Sequence, residues 1–352
     1  MPCSSRVPSS VSIMQTPTTL TPADALVDRF GRVHTDLRIS VTDRCNIRCF
    51  YCMPSDNVVF RPRSELLRFE EMERFVRVTT RLGINKVRIT GGEPLVRNEL
   101  WRLIRQLAAI PNIDDIALTT NGILLAEQAQ ALKDAGLSRL NVSLDTLDEE
   151  TFRKFARRDG LDRVLDGIAA AQRVGFTNTR LNAIAIRGLS EVEVLPLVRF
   201  ARRHSLELRF IEFMPLDADG NWRADDVLTG AEIRRQIEAE FGALIAVDRN
   251  DPGQPALDYQ FAAGGGRIGF INPVTQPFCG DCDRLRLTAE GQIRNCLFSK
   301  EEWDARSLLR SDADDEELMT LIRAAVGAKK AGHGIDQDDF VRPSRAMYQI
   351  GG

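Results

Sequence analysis

The cysteines of this chain carry its first chemical signal, because six of the seven fall into two tight groups of three. The first triplet is Cys45, Cys49 and Cys52, and the second triplet is Cys279, Cys282 and Cys296. A [4Fe–4S] cluster takes four thiolates, so three cysteines leave one iron open to a substrate or cofactor. Structural zinc is the alternative, and it usually takes four Cys or His ligands. The chain has three histidines, none of them within either triplet, and we therefore predict one cluster at each triplet.

Two arginines, Arg284 and Arg286, lie inside the second triplet. In an extended segment, side chains two residues apart face the same side, and paired guanidiniums are good ligands for a polyphosphate. The alternative is a solvated strand face. Zinc is also a stronger alternative here than at the first triplet, because a CxxC pair with a distant third cysteine is common in zinc ribbons. The position of the arginines between cluster ligands favours a phosphate-binding role.

Short β-branched and apolar runs alternate with amphipathic stretches along most of the chain. This alternation is typical of βα units in a parallel sheet, which places its chemistry at the carboxyl ends of the strands. The predicted strands are 37–41, 86–90, 115–120, 139–144, 180–186 and 206–213, and the predicted helices between them are 69–82, 98–109, 123–135, 149–174 and 190–204. Six units predict an α/β fold with an open or partial barrel, since a full barrel needs two more.

The overall composition is that of a globular protein without a basic surface. Lys and Arg number 47 against 50 Asp and Glu, which excludes a global nucleic-acid footprint. No apolar run has the length of a membrane span, and the N-terminus lacks the apolar core of a secretory signal, so the cytoplasm is the expected location. We predict a disordered leader at 1–24, a barrel domain at 25–245 and a C-terminal domain at 246–352.

The segment CNIRCFYC (45–52) resembles the defining motif of the radical S-adenosylmethionine superfamily, in which an aromatic residue, here Tyr51, precedes the last cysteine. The segment GGEP (91–94) resembles a second motif of that superfamily, which contacts the amino group of S-adenosylmethionine. Together the two motifs imply a partial (βα)6 barrel that holds S-adenosylmethionine at the first cluster.

A larger set of segments resembles the GTP 3′,8-cyclase family, whose reaction is the first step of molybdenum cofactor biosynthesis. These segments are DLRISVTDRCNIRCFYCMP (36–54), KVRITGGEPLVR (86–97), TTNG (119–122), NVSLDTL (141–147), RFIEFMP (209–215), PFCGDCDRLRLTAEGQIRNCL (277–297) and the terminal Gly351-Gly352. Only the leader lies outside the resemblance. It implies a C-terminal α+β region that binds the second cluster and closes the barrel.

The resemblance implies a specific radical reaction. In this family the first cluster gives an electron to S-adenosylmethionine, and the resulting 5′-deoxyadenosyl radical takes the 3′ hydrogen of GTP. The ribose radical then attacks C8 of guanine to give (8S)-3′,8-cyclo-7,8-dihydro-GTP, while the open iron of the second cluster holds the guanine. The implied enzyme is a lyase with two [4Fe–4S] clusters and S-adenosylmethionine as cofactors and GTP as substrate.

The family's binding residues carry over to matching positions of this chain. The S-adenosylmethionine contacts carry over to Tyr51, Gly92, Ser143 and Met214. The GTP contacts carry over to Arg38, which is also the implied catalytic residue, and to Arg88, Thr119, Arg180, Arg284, Leu285 (through its backbone) and Arg286. The family commonly has Lys where this chain has Arg180, which keeps the charge but changes the geometry; an ion-paired barrel residue is the alternative there. The two terminal glycines are implied to enter the active site through a narrow channel.

The resemblance also implies partners. A downstream cyclic pyranopterin monophosphate synthase takes the product, and a flavodoxin- or ferredoxin-like protein donates electrons. A homodimer is a further expectation, whereas neither nucleic acid nor a membrane is expected as a partner. Two alternatives stay open at this point: a radical enzyme that modifies a peptide and carries an auxiliary cluster, and a non-enzymatic scaffold that binds iron–sulfur clusters or zinc.

Overall fold

A computed structural model describes residues 25–249, 251–337 and 339–351 of the chain, so the predicted leader at 1–24 lies outside the described residues. In the described part, one sheet of twelve strands packs against helices. The strands are β1 (Asp36–Ser40), β2 (Lys86–Thr90), β3 (Asp115–Thr120), β4 (Arg139–Ser143), β5 (Arg180–Ala185), β6 (Glu207–Glu212), β7 (Leu244–Ala246), β8 (Leu257–Phe261), β9 (Arg267–Ile271), β10 (Arg284–Leu287), β11 (Gln292–Arg294) and β12 (Trp303–Asp304).

The helices follow the strands in alternation through the first two thirds of the chain. They are α1 (Phe69–Thr80), α2 (Leu100–Ala108), α3 (Leu125–Asp134), α4 (Glu149–Ala156), α5 (Leu161–Arg173), α6 (Val194–Arg203), α7 (Gly230–Phe241), α8 (Ala305–Leu309), α9 (Asp315–Gly327) and α10 (Met347–Ile350), with short 3-10 helices at Pro94–Val96, Ala224–Asp226 and Cys279–Asp281. Strands β1 to β6 lie side by side in chain order, and every neighbouring pair is parallel. The α/β fold with a partial barrel of six units is confirmed.

Alternation of side chains along the strands separates a core face from a cavity face. In β1 and β2, Leu37, Ile39, Val87 and Ile89 are buried in the same apolar cluster as residues of the helices. The residues between them on these strands, including Arg38, line a cavity on the opposite face. Because successive side chains of a strand point to opposite faces, charged side chains lie inside the barrel while the apolar ones stay buried against the helices.

The C-terminal part of the chain extends both edges of the six-stranded sheet. Strand β10 pairs in parallel with β1, and β11 and β12 follow it outward. At the other edge β9 pairs in parallel with β6, and β8 and β7 lie beyond it. The strand order of the described residues is linear, so the C-terminal region flanks an open barrel on both sides. The predicted division at 245 falls within β7, and it stays a prediction.

One predicted helix differs from the structure. The stretch 149–174, predicted as one amphipathic helical stretch, forms α4 and α5 with a loop between them. Arg157 adopts a left-handed conformation with φ of 52°, and Gly160 has φ of 133°. Left-handed residues cannot continue a right-handed helix, so the chain turns here and the end of α4 becomes free to contact another segment.

In the described ranges we find no helix that is both long enough and apolar enough to cross a membrane.

Candidate active site

A cavity of about 370 Å³ lies inside the barrel and reaches both cysteine triplets. All six of those cysteines line it. So do Arg38, Tyr51, Arg88, Gly92, Thr119, Ser143, Arg180, Met214, Arg284 and Arg286, which are ten of the predicted cofactor and substrate residues. Leu285 is the exception, because its side chain is buried in the apolar core, and only its backbone was expected to make contact. The structure therefore brings together predicted site residues from between positions 38 and 296 of the chain.

The first triplet lies on the loop between β1 and α1, and that loop is fixed to the end of α4. The backbone N–H groups of Arg48 and Phe50 donate to the carbonyls of Ala156 (2.8 Å) and Phe155 (3.1 Å). These carbonyls are free because α4 ends there, which leaves its last C=O groups without partners inside the helix. The break between α4 and α5 therefore provides the anchor for the first triplet.

The sulfurs of the first triplet suit a cationic cluster. All three cysteines are free thiols, and burial raises the pKa of Cys45 to about 11 and the pKa values of Cys49 and Cys52 above the ordinary thiol range. A buried thiolate needs a bound cation to offset its loss of hydration, and iron of a [4Fe–4S] cluster would supply that charge. A cluster takes each thiolate on a different iron, so its ligands need not converge on one point. Within 25–249, 251–337 and 339–351, no three Cys, His, Asp or Glu side chains converge on a single-ion position.

The GGEP turn follows β2 and packs against the first triplet's loop. A β-carbon on Gly92 would lie 2.7 Å from the carbonyl oxygen of Asp43, so the close backbone approach excludes any side chain there. The next residue, Glu93, is buried, and its carboxylate accepts hydrogen bonds from Leu95 N (3.0 Å), Thr120 Oγ1 (2.7 Å) and Asn121 N (2.7 Å). Burial raises the pKa of Glu93 to about 7. Glu93 therefore ties the GGEP turn to the TTNG turn.

Tyr51 is held by a carboxylate that sequence reasoning missed. Its hydroxyl donates to Oδ2 of Asp145 at 2.7 Å, and Oδ1 of Asp145 accepts from Ile184 N at 2.8 Å. Burial raises the pKa of Asp145 to about 6. Asp145 lies within the quoted segment NVSLDTL, two residues after the end of β4, and a carboxylate at the carboxyl end of a barrel strand was the available signal.

The second triplet lies around β10 and β11. Cys279 opens the short helix Cys279–Asp281, Cys282 precedes β10 and Cys296 follows β11. Burial opposes ionisation of Cys282, but the charges of Arg284 and Lys329 outweigh it and lower the pKa of this thiol to about 6. Lys329, which sequence reasoning also missed, has its Nζ 3.5 Å from Sγ of Cys282. The donors here suit a second cluster, in a more electropositive setting than the first.

Arginines from three adjacent strands form one wall of the cavity, which we call the arginine wall: Arg38, Arg88, Arg284 and Arg286. Strand register places Arg38 directly between Arg286 of β10 and Arg88 of β2. Burial and the neighbouring Arg284 lower the pKa of Arg38 to about 10, and burial and Arg38 lower the pKa of Arg88 to about 9.

The arginine wall has more positive charges than nearby carboxylates among the described residues. The Nε atoms of Arg38, Arg88 and Arg284 are buried and have no hydrogen-bond partner among the described residues. The carboxylates of Asp36 and Asp283 are the acidic groups that act on Arg38 and Arg284. Buried donors without acceptors are costly, and several crowded cations need a polyanion, so the wall is suited to a triphosphate.

Arg180 differs from the arginines of the wall because it has an internal partner. Its Nε donates to Oε2 of Glu207 at 3.1 Å, and Glu207 also pairs with Arg209. Both arginines line the cavity. A role of Arg180 in triphosphate binding stays a prediction, and the ion pair weighed against it is present.

The C-terminal tail reaches the arginine wall. The carbonyl oxygen of Gly351 accepts a hydrogen bond from Nη1 of Arg286 at 2.6 Å. Gly351 has φ of 87°, and a β-carbon there would lie 2.5 Å from Oγ1 of Thr90. Only glycine fits this conformation and this gap. Gly352, the second residue of the predicted tail motif, lies outside the described residues.

Two family models match the chain in succession. The radical SAM superfamily model matches residues 39–201, and the model described as Molybdenum Cofactor Synthesis C matches residues 206–335. Curated relatives include the GTP 3′,8-cyclase of Rhodopirellula baltica, which is 55% identical over 96% of this chain and 94% of its own length. That of Streptomyces coelicolor is 45% identical over 94% of this chain and 97% of its own length.

Solved structures agree in fold. Streptococcus suis SuiB bound to the precursor peptide SuiA matches with a TM-score of 0.58 and 14% identity, over 90% of this chain and 76% of that one. SuiB bound to S-adenosylmethionine matches with a TM-score of 0.56 and 15% identity, over 80% of this chain and 65% of that one. At such identities the likeness concerns the fold alone. The curated relatives, in contrast, favour the cyclase over the peptide-modifying enzyme and the scaffold, and this chain belongs to the GTP 3′,8-cyclase family of the radical SAM superfamily.

Proposed function

We propose that this chain converts GTP to (8S)-3′,8-cyclo-7,8-dihydro-GTP, the first step of molybdenum cofactor biosynthesis. The observation that carries the proposal is the arginine wall, whose unpaired buried donors face the same cavity as two free cysteine triplets. The wall suits the triphosphate of a nucleotide, and one cavity suits a reaction between that nucleotide and a cofactor held beside it.

The first triplet would hold one [4Fe–4S] cluster, and Tyr51, Gly92, Ser143 and Met214 would hold S-adenosylmethionine. When bound, the cluster and this cofactor supply the 5′-deoxyadenosyl radical that takes the 3′ hydrogen of GTP. The chain's own part is positioning. Asp145 fixes the Tyr51 hydroxyl, while Glu93 joins the turns that shape the cofactor's side of the cavity.

The second triplet would hold the other cluster, with the guanine of GTP at its open iron. The arginine wall, Thr119 and the backbone of Leu285 would hold the rest of the nucleotide. Arg38 is central to this arrangement, because it lies on β1, whose following loop carries the first triplet, and beside β10, which follows Cys282. We therefore assign Arg38 as the catalytic residue that reaches substrate between the two clusters.

The C-terminal tail and partner proteins also have roles in the proposed function. Gly351 bonds to Arg286 and would limit the space and the water around the nucleotide. The product would pass to a cyclic pyranopterin monophosphate synthase, and a flavodoxin- or ferredoxin-like protein would supply electrons. We further propose a cytoplasmic location, a homodimeric assembly and a division of labour between a barrel domain at 25–245 and a C-terminal domain at 246–352.

Anaerobic turnover tests this function. The reconstituted chain should hold about eight irons if both triplets carry four-iron clusters. With GTP, S-adenosylmethionine and a low-potential reductant, it should release 5′-deoxyadenosine together with the cyclised nucleotide, identified by mass spectrometry. ATP in place of GTP is the control and should give no cyclised product. Four irons with tightly bound zinc would contradict the two-cluster site, and 5′-deoxyadenosine without a cyclised nucleotide would contradict the substrate.

A further inference from the structure

The two triplets differ in the side chains that touch their sulfurs. At the first triplet the neutral amide of Asn121 lies 3.8 Å from Sγ of Cys45, and the guanidinium of Arg48 donates to the backbone carbonyl of Cys45 at 2.6 Å. At the second triplet, the cation of Lys329 lies beside Cys282. Such a difference matters most for groups that change charge when they accept an electron.

Lys329 is held in place by a full set of contacts. Its side chain is buried at 2% exposure, just beyond the end of α9. Its Nζ donates to the carbonyl oxygens of Cys282 (3.0 Å) and Arg284 (2.9 Å), lies 3.0 Å from Nε2 of His34 and reaches Sγ of Cys282 at 3.5 Å. An ammonium has three N–H donors, so its four partners share them, and these contacts hold the positive charge beside the sulfur of Cys282.

His34 is arranged to accept from Lys329. Its Nδ1 lies 3.0 Å from the carbonyl oxygen of Arg32, which can only accept, so Nδ1 carries the proton and Nε2 is left as the acceptor for Lys329. Among the described residues, none of the groups that Lys329 contacts is a carboxylate. Its positive charge is therefore left to act on the sulfur of Cys282.

We propose that Lys329 is a positioning residue of the second cluster, whose N–H···S contact with Cys282 makes that cluster easier to reduce. The inference rests on the second cluster of the proposed function. One-electron reduction adds a negative charge to a cluster without making or breaking a bond, and a nearby cation with a hydrogen bond to a ligand sulfur stabilises the reduced form. The electron comes from an external low-potential donor.

The test isolates the second cluster in the full-length chain. In a C45A/C49A/C52A background only the second triplet can be loaded, and iron analysis should give about four irons. The midpoint potential of this cluster is then measured by a dithionite titration followed by electron paramagnetic resonance. We expect Lys329→Met to shift the midpoint to a lower potential and Lys329→Arg to leave it near that of the background. Lys330→Met is the matched control, because Lys330 is the neighbouring lysine and is exposed, and it should cause no shift.

Each result decides the proposal. If the C45A/C49A/C52A chain bound no iron, the second triplet would not hold a cluster, and both this inference and the proposed function would be wrong. Four irons with an unchanged midpoint in Lys329→Met overturn the inference alone. If Lys329→Met lost its iron, Lys329→Gln would replace it, since an amide keeps donors for the two carbonyls without the charge, and the same midpoint criterion would apply. Loss of iron in all three substitutions, Lys329→Arg included, would show a purely structural lysine and would also overturn the inference.

Discussion

Arg38 is crowded by other guanidiniums, so replacing it should change GTP binding and the stability of the fold in different directions. The side chain lies between two other guanidiniums and has a buried Nε without a partner among the described residues. We expect Arg38→Met to weaken GTP binding roughly tenfold to a hundredfold, because charged hydrogen bonds contribute about 1.5–3 kcal/mol each. The melting temperature without ligand should stay equal or rise, since one of the repelling charges is gone. Calorimetry of GTP binding and thermal melts measure the two effects.

The control for Arg38 is Arg203→Met, which removes an exposed arginine at the end of α6. Both GTP affinity and melting temperature should stay unchanged in this variant. A loss of stability in Arg38→Met as large as its loss of binding would mean that Arg38 supports the fold rather than the ligand.

His34 makes the stability of the chain depend on pH. Burial and the nearby charge of Lys329 lower the pKa of His34 to about 4, below the ordinary value of 6.5. Between these values the unfolded chain binds a proton that the folded chain excludes, so stability falls as the pH is lowered from 6.5 towards 4. By pH 5 the loss should reach about 2 kcal/mol. His34→Gln keeps an acceptor but cannot titrate, and urea unfolding at pH 7 and pH 5 should show a smaller loss for it. Parallel pH profiles for the two chains would contradict this role.

At the scale of elements, helix α5 needs a glycine where it crosses the TTNG turn. A β-carbon on Gly167 would lie 2.5 Å from the carbonyl oxygen of Gly122. We expect Gly167→Ala to lower the free energy of unfolding by about 1–3 kcal/mol, the usual cost of overpacking. Gly327 ends α9 with open space around it, so Gly327→Ala should stabilise by about 0.5–1 kcal/mol. Equal shifts in denaturant unfolding for the two variants would show that packing at Gly167 does not decide the effect.

The strands were the elements that could best be predicted from the sequence, and the contacts between distant elements were the least predictable. Strands β2 and β3 have the predicted bounds, because alternation marks a face buried against helices. The helix predicted at 149–174 was wrong at Arg157, since the left-handed conformation of a non-glycine residue has no clear sequence signal.

The same limit applies to the candidate site. Spacing alone placed Arg284 and Arg286 on one face of a strand, but the pairing of β10 with β1 brings them beside Arg38. That pairing joins segments far apart in the chain, so local patterns carry no information about it. Lys329 is a similar case, because its contact with Cys282 depends on how the segment after α9 packs beside β10.

At the scale of the whole molecule, an ionic anchor holds the C-terminal tail against the arginine wall. Arg345 is largely buried and pairs with Glu290 and with Glu302, whose Oε2 accepts from Nη2 of Arg345 at 2.6 Å. Six residues further on, the carbonyl of Gly351 bonds to Arg286. Releasing Arg345 would remove the charged anchor of the tail and leave its position to the buried side chains of Tyr348 and Ile350.

Arg345→Met should therefore impair the reaction of the nucleotide at the arginine wall more than the binding of S-adenosylmethionine at the first triplet. Breaking this partly buried pair should lower the free energy of unfolding by about 1–3 kcal/mol, less than for a fully buried pair. Formation of the cyclised nucleotide should fall at least tenfold, because a displaced tail leaves the arginine wall open to water, while iron content and S-adenosylmethionine binding stay near those of the unchanged chain. Arg323→Met, which removes an exposed arginine of α9, should affect none of these. Full product formation in a destabilised Arg345→Met chain would show that the anchor serves folding and that the tail finds the wall without it.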